Sequence, residues 1–171
     1  MFGGTRFVGK ALVSTLCTKG HEVSLFTRGK KPIPSNVEHF RGDRHIDEDL
    51  KVLDGVNFDV IVDVSGRTLQ DTQKVLSITG LPKHRFLYVS SAGVYSKTNS
   101  WPIDEDHEID PNSRHFGKAE TERWLVKEGI PFTSFRPTYI YGPGNYNPIE
   151  SWFFDRITHN RPIPMPFDGN W

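Results

Sequence analysis

The sequence predicts an α/β protein with a doubly wound parallel sheet, and three observations support this fold class. Short strand-like runs alternate along the chain with segments of helical periodicity, which is the pattern of successive β-α-β units. Two of these runs are almost entirely apolar, as strands covered on both faces by helices are. A glycine-rich turn opens the first helix, as expected in such a sheet.

The N-terminal part of the chain predicts a turn, a helix and two strands. The glycine-rich segment 3–9 leads into apolar residues at helical spacing, which end at Gly20. Residues 21–27 alternate apolar and polar side chains as a strand does, and residues 37–41 form a second short strand after a proline-containing loop. Residues 46–53 are weakly helical.

The middle of the chain predicts two buried strands with a helix between them. Residues 58–64 are β-branched and nearly all apolar, and a helix is expected over 69–78. Residues 85–90 form another such strand, which runs into a Ser-Ser-Ala-Gly turn. The polar stretch 97–113 is expected to be loop.

The last third predicts a helix over 116–128, a strand over 131–135 and a helix over 149–159. We expect residues 1–171 to be a fragment of one nucleotide-binding domain, with a substrate-side region beginning after about residue 145. The glycine turn normally follows a central strand of about five or six residues, but only Met1 and Phe2 precede it. The expected truncations are this first strand and a C-terminal substrate domain. A naturally short protein with a different central strand is the alternative.

Composition argues against several classes of function. Lys plus Arg and Asp plus Glu number 21 each, so no global basic field drives nucleic-acid or membrane binding. The apolar runs are too short to span a membrane, and the start lacks a signal-peptide pattern, so a soluble protein is expected. Cys17 is interpreted as a buried structural thiol in a reducing compartment. No metal site is expected, because the histidines are scattered and the acidic run 104–106 is interpreted as solvated loop.

The glycine-rich segment predicts a dinucleotide site of the Rossmann type. Its glycines suit a tight strand-to-helix turn whose backbone amides and helix dipole meet a pyrophosphate. A purely structural turn is the alternative. The expected cofactor-binding residues of this turn are Gly3, Thr5, Arg6, Phe7, Val8 and Gly9.

Basic residues favour NADP over NAD as the cofactor. A carboxylate at the end of the strand over 21–27 would bind the ribose 2′-hydroxyl of NAD, but this position holds Arg28. Arg6 can reach the same 2′-phosphate and pair with it bidentately. The alternative is that Arg28 is an ordinary solvated loop residue. Asp43 either accepts a hydrogen bond from the adenine amino group or caps the next segment, and Ser65 completes the expected cofactor-binding set.

Three blocks resemble the extended short-chain dehydrogenase/reductases, the NAD-dependent epimerase/dehydratase family. They are Gly-Gly-Thr-Arg-Phe-Val-Gly at 3–9, Val-Ser-Ser-Ala-Gly-Val-Tyr at 89–95 and Arg-Pro-Thr-Tyr-Ile-Tyr-Gly-Pro-Gly at 136–144. The blocks stand in family order and cover nearly the whole chain. The resemblance implies a Rossmann-type fold, a nicotinamide dinucleotide and nucleotide-linked substrates.

A narrower resemblance is to the chloroplast stem-loop-binding proteins and their cyanobacterial and bacterial relatives. It rests on Thr-Arg in the turn, His-Phe-Gly-Lys-Ala-Glu-Thr-Glu at 115–122, and Asn-Tyr-Asn-Pro at 145–148 followed by Trp-Phe-Phe at 152–154. It implies RNA binding and endoribonuclease activity on an epimerase fold. We also expect a homo-oligomer at full length, located in the cytoplasm of a bacterium or the chloroplast stroma of a plant.

The acid/base positions depart from the family pattern. The family uses a tyrosine followed four residues later by a lysine, and those positions here hold Phe116 and Glu120. Phenylalanine has no proton to exchange, and a glutamate raises the pKa of a nearby acid. We therefore expect conventional oxidoreductase chemistry to be lost.

Three residues are candidates for a different chemistry. Ser91 occupies the family's serine position and either binds a substrate hydroxyl or caps its turn. His115 is a candidate replacement base near neutral pH, with Lys118 as a nearby cation; an ordinary surface histidine is the alternative. The two competing functions are an altered epimerase/dehydratase-like enzyme and an RNA-binding protein or nuclease, and the fold alone does not decide between them.

Overall fold

The computed structural model describes residues 1–147 and 149–165. Pro148 and residues 166–171 lie outside the described residues. The strands are β1 (Ser24–Thr27), β2 (Glu38–Arg41), β3 (Val60–Asp63), β4 (Arg85–Val89) and β5 (Phe132–Phe135). The α-helices are α1 (Phe7–Thr18), α2 (Asp47–Leu50), α3 (Leu69–Thr79), α4 (Phe116–Lys127) and α5 (Ile149–Thr158), with 3₁₀ turns at Lys51–Leu53 and Ala92–Val94.

All the described strand pairs are parallel, which confirms the predicted fold class. β1 pairs with β2, and β4 lies between β3 and β5. Phe2 joins the two groups, because it bridges Phe26 of β1 on one side and Asp63 of β3 on the other. The sheet order is therefore β2-β1-Phe2-β3-β4-β5. The chain leaves Phe2 toward β1 on one side and later returns to β3 on the other, so the glycine turn lies at the switch point of the sheet.

The hydrophobic core has two parts that lie on opposite faces of the sheet. Leu25 packs with Val13 of α1, whereas its neighbour Phe26 packs with Phe86 and Tyr88. Successive residues of a strand point to opposite faces, so α1 covers one face and the larger cluster fills the other. Cys17 packs against the α1-side cluster but is half-buried, which corrects the expectation of a buried thiol.

The observed elements agree with the predicted ones to within three residues at each end. The largest difference is at β1, which begins at Ser24 because His21 and Glu22 remain exposed in the preceding loop. The segment 97–113 is mostly loop, as predicted, and Ile109 within it forms a short antiparallel bridge with Tyr95.

The chain divides into two compact units, Met1–Thr138 and Tyr139–Trp171. The first contains the sheet with α1 to α4. In the second, Glu150 of α5 accepts hydrogen bonds from the Gly142 amide (3.0 Å) and the Asn145 side chain (3.1 Å). Across the described ranges, every helix is too short or too polar to cross a bilayer.

Candidate functional site

The glycine turn is packed so tightly that side chains are excluded from it. A Cβ on Gly3 would lie 2.5 Å from Val64 Cγ2, and a Cβ on Gly4 would lie 2.7 Å from Leu25 Cδ2. Both glycines also take positive φ angles, of 94° and 110°. A Cβ on Gly9 would lie 2.8 Å from Gly4 Cα, so the first turn of α1 rests directly on the backbone of the glycine turn.

This packing brings the N-terminus of α1 to the end of the central strand. Thr5 lies in the turn, Arg6 is the exposed N-cap, and the half-buried Phe7 and Val8 begin the helix. No side chain caps the helix at Arg6, and the first turn of α1 carries no acidic residue. The positive end of the helix dipole is therefore not neutralised by a carboxylate, which suits an anionic pyrophosphate.

Arg28 and Asp43, predicted to lie on the adenosine side, are brought together by the structure. Their closest side-chain atoms are 3.8 Å apart, and the Arg28 side chain is 61 % exposed. Asp43 Oδ1 accepts a hydrogen bond from the His45 amide at 3.1 Å, as a residue that caps the following turn does. The Asp43 amide donates to the Asp49 carboxylate at 2.7 Å, which fixes this loop against the start of α2.

A buried ion pair that the sequence did not reveal lies beneath the turn. Asp63, at the end of β3, is fully buried and receives both terminal nitrogens of Arg44 at 2.8 Å. The amides of Ser65 and Gly66 also donate to Asp63, at 2.9 and 2.8 Å. Burial raises the pKa of Asp63, but the Arg44 guanidinium and the two amides outweigh it and hold the pKa below its usual value.

Arg44 also positions Ser65, which was expected to bind cofactor. Arg44 Nη1 donates to Ser65 Oγ at 3.0 Å, and a Cβ on Gly3 would lie 3.7 Å from Ser65 Cβ. Ser65 is therefore beside the glycine turn. The sequence signal for the buried pair is Asp63 itself, a carboxylate that follows the three apolar residues 60–62.

Ser91 and His115 are brought together across Gly93. Ser91 Oγ accepts a hydrogen bond from the Gly93 amide at 3.1 Å, and so it caps the 3₁₀ turn Ala92–Val94. A Cβ on Gly93 would lie 3.2 Å from Ser91 Oγ and also 3.2 Å from His115 Nε2. The hydroxyl and the imidazole thus lie on the same side of Gly93, where the absence of a side chain leaves room for both.

His115 precedes α4 and is kept neutral by its surroundings. Burial lowers its pKa, and the positive charges of Arg114, Lys118 and Arg67 lower it further. The Nε of Arg114 donates to Nε2 of His115 at 3.0 Å, so in this arrangement Nε2 is an acceptor and the proton belongs on Nδ1. At neutral pH the ring is therefore an uncharged imidazole.

The Lys118 side chain connects the loop after β3 to the end of β4. Its ammonium donates to the carbonyls of Gly66 at 2.9 Å and Val89 at 2.6 Å, and it lies 5.1 Å from the centre of the Tyr88 ring. Burial lowers the pKa of Lys118. Lys118 therefore positions the ends of β3 and β4, and its charge acts on His115 through space.

The two positions predicted to correspond to the family's acid/base residues, Phe116 and Glu120, lie on α4. Phe116 is half-buried and lies beneath the Arg123 guanidinium, which is 5.6 Å from the ring centre. Glu120 is exposed one turn further along the helix. Phe116 has no exchangeable proton. Glu120 is negatively charged, whereas a cation is needed to lower the pKa of a nearby phenol.

A second polar network missed from the sequence connects β5 to the loop after β4. Glu122 of α4 accepts hydrogen bonds from Arg136 Nε (3.0 Å) and Ser134 Oγ (2.6 Å). Burial raises the pKa of Glu122, but these hydrogen bonds outweigh it and lower the pKa. Arg136 Nη1 also donates to the Tyr95 hydroxyl at 2.8 Å and the Glu105 carbonyl at 2.9 Å.

This network supports an open cleft of about 620 Å³ within the first unit. The cleft is lined by residues 95–99 together with Ala92, Trp101 and Ile103. The Ala92 amide donates to the Pro137 carbonyl at 2.9 Å, so the Arg136-Pro137 segment fixes the base of the loop that borders the cleft.

The glycine turn at the switch point of a parallel sheet is the arrangement of the doubly wound α/β folds. Residues 1–170 match the NAD dependent epimerase/dehydratase family, and the chain belongs to that family. It is 44% identical to the chloroplast stem-loop binding protein of 41 kDa b of Arabidopsis thaliana, over 99% of this chain and 49% of that protein. The chain therefore spans about half the length of this relative.

Solved structures of sugar epimerases share the fold. UDP-glucose 4-epimerase of Thermotoga maritima, solved with UDP-glucose, is 16% identical with a TM-score of 0.79, over 99% of this chain and 66% of that one. The Thermus thermophilus enzyme of the same name, solved with NAD, is 17% identical with a TM-score of 0.74, over 96% of this chain and 63% of that one.

Proposed function

We propose that the protein binds a nicotinamide dinucleotide at the glycine turn but lacks the conventional acid/base chemistry of the family's epimerases. One observation carries this proposal. The cradle of Gly3, Gly4 and Gly9 excludes side chains and presents an α1 N-terminus without a carboxylate. The proposed loss of acid/base chemistry rests on the prediction that Phe116 and Glu120 stand at the family's tyrosine and lysine positions.

The residues present fit the dinucleotide. The backbone at residues 3–9 would hold the pyrophosphate, and Ser65, fixed beside Gly3 by Arg44, would contribute a hydroxyl. When bound, the nicotinamide ring would supply a hydride acceptor. The NAD bound by the Thermus thermophilus epimerase supports this class of cofactor for a chain of the same fold.

We further propose that NADP is preferred over NAD. Arg28 is exposed, and its 3.8 Å contact with Asp43 is too long and too well solvated to hold it strongly. It is therefore available to turn toward a 2′-phosphate, and Arg6 lies in the adjoining turn.

Calorimetric titration with NADP and NAD tests both proposals. We expect tighter binding of NADP and a selective loss of NADP affinity in Arg28→Ala. Lys19→Ala is the matched control, since it removes an exposed positive charge at the other end of α1. Equal affinities for the two cofactors, unchanged by Arg28→Ala, would refute the NADP preference and leave dinucleotide binding in place.

The second candidate function is RNA binding or RNA cleavage. The name of the Arabidopsis thaliana relative supports it, and so does a local group of cations formed by Arg67, Arg114 and Lys118 on a chain of zero net charge. In either function Ser91 and His115 are the proposed catalytic groups, with Lys118 positioning the loops around them. The neutral His115 would act as base after exchanging the Arg114 contact for a substrate hydroxyl.

Fluorescence anisotropy with a labelled stem-loop RNA, together with a gel assay of its integrity, tests the second candidate. We expect binding that weakens steeply with salt, because a local cation group acts on phosphates. Cleavage that survives His115→Ala would remove His115 from the mechanism. For the full-length protein we propose a homo-oligomer, located in the stroma in a plant, as the word chloroplastic in the relative's name suggests, or in the cytoplasm in a bacterium.

A further inference from the structure

Three chain segments converge around His115. The loop after β3 packs against the start of α4 so closely that a Cβ on Gly117 would lie 2.7 Å from the Arg67 carbonyl oxygen. Lys118 fastens this loop to the end of β4 by its hydrogen bonds to Gly66 and Val89. On the other side, Gly93 lies against the His115 ring. The backbone around His115 is therefore fixed by packing from three directions.

The side chains gathered here are mainly positively charged, and the charge of Lys118 is partly balanced through space by Asp63 and Glu122. Arg67, Arg114 and Lys118 all act electrostatically on His115. Within residues 1–147 and 149–165, no carboxylate forms an ion pair with any of the three. The first turn of α4 also carries no acidic residue, so the positive end of its dipole adds to the same field.

The nearest acidic side chains do not neutralise the cluster, as the following contacts show. Asp63 is paired with Arg44. Asp71 accepts hydrogen bonds from the amides of Arg67 and Thr68, at 2.8 and 3.0 Å, and caps α3. Glu120 is exposed on α4, two residues after Lys118. The cluster of Arg67, Arg114, His115 and Lys118 therefore keeps a net positive charge.

We infer that this cluster binds a phosphate group of a nucleotide-class substrate, beside Ser91 and separate from the dinucleotide pyrophosphate at the glycine turn. Two guanidinium forks and a helix N-terminus together suit a tetrahedral anion with several oxygens better than a planar carboxylate with two. The inference rests on the proposed function, since it names what the site around Ser91 and His115 recognises. A bound phosphate sits where the neutral His115 can accept a proton from a neighbouring hydroxyl of the substrate.

Binding of two uridine probes tests this inference: uridine monophosphate and a single-stranded oligouridylate of ten nucleotides. We expect both to bind, and the double variant Arg67→Gln/Arg114→Gln to weaken them by about tenfold per guanidinium. The matched control is Lys19→Gln/Lys127→Gln, which removes two exposed positive charges elsewhere. Similar affinities for the two probes identify a single substrate phosphate, whereas a strong preference for the oligouridylate identifies a phosphodiester chain; both support the site.

The imidazole of His115 gives a second, independent readout. Inorganic phosphate should raise the His115 pKa measured by NMR titration, because a bound anion stabilises the imidazolium. This shift should vanish in the double variant, while thermal unfolding shows that the variant remains folded. Probe affinities unchanged in the double variant, or a His115 pKa insensitive to phosphate, would overturn the inference. NADP and NAD binding at the glycine turn, measured on the same samples, reports separately on the proposed cofactor.

Discussion

Replacing Arg44 with methionine should destabilise the protein strongly, because it leaves the Asp63 carboxylate buried without its cation. Asp63 is fully buried, and two of its four hydrogen bonds of 3.0 Å or less come from Arg44. Breaking a buried ion pair by removing one partner costs about 3–5 kcal/mol. For a chain of this size, this corresponds to a fall in Tm of roughly 6–20 °C.

The double variant Arg44→Met/Asp63→Asn tests the physical reason for this loss. An asparagine oxygen still accepts from the amides of Ser65 and Gly66, and no charge remains buried. We therefore expect the double variant to recover at least about 1 kcal/mol of the free energy of unfolding relative to Arg44→Met. Urea unfolding followed by circular dichroism measures each free energy.

The pH dependence of stability follows from the sign of the Asp63 shift. In the parent protein the Asp63 pKa is lowered, so its contribution is present above the unfolded pKa of about 3.9 and is lost as the pH falls through the folded pKa. In Arg44→Met the buried Asp63 carboxylate has lost its cation, so protonating it removes an unpaired buried charge and stabilises the folded variant. The difference in the free energy of unfolding between the parent and Arg44→Met should therefore decrease as the pH falls from about 7 to about 4.

Lys83→Met is the matched control for this series. Lys83 and Asp59 form a similar ion pair at 3.0 Å, but both side chains are exposed and water screens their charges. If Arg44→Met lowered the stability by no more than Lys83→Met, the buried pair would not be holding the β3 edge, and the argument for its role would fail.

The remaining predictions concern the site itself. Gly9→Val should abolish dinucleotide binding in calorimetry, because its Cβ would overlap the glycine-turn backbone at 2.8 Å, whereas Ala11→Val on the exposed side of the same helix should retain it. The parent and Phe116→Tyr should not turn over UDP-sugars, and only Phe116→Tyr with Glu120→Lys should gain activity and reduce bound nicotinamide; turnover by the parent would contradict this. The His115 pKa is lowered from 6.5, so an NMR titration should place its midpoint below that value, and any activity that uses it as base should persist below pH 6.5.

The fold was predictable because its signals are local. Apolar runs and helical periodicity located the elements, and the glycines of the turn all fall within residues 3–9. The candidates Ser91 and His115 were also chosen from short local segments of the sequence, and their catalytic roles stay predictions. Their meeting across Gly93 needed the structure, since the two residues lie on segments joined only by packing.

The polar networks were not predictable because each joins distant parts of the chain. Arg44 has no local pattern that distinguishes it from a surface arginine, and its partner lies 19 residues away. Arg136 and Glu122 meet only because β5 packs beside α4. Lys118 was expected to be a cation near His115, but its hydrogen bonds to two distant backbone carbonyls were not predictable. The sequence identifies these charged side chains, but their hydrogen-bond partners depend on how the strands and helices pack.

Phe2 couples the stability of the sheet to the binding of a ligand at the glycine turn. Its backbone exchanges hydrogen bonds with Val62 and Val64 at 2.8 and 3.1 Å, and its neighbours bond to β1. The residue that unites the two halves of the sheet is followed immediately by the glycine turn. A ligand that orders this turn opposes the separation of the two halves, so the amides of Phe26 and Val64 should exchange with solvent more slowly when it binds.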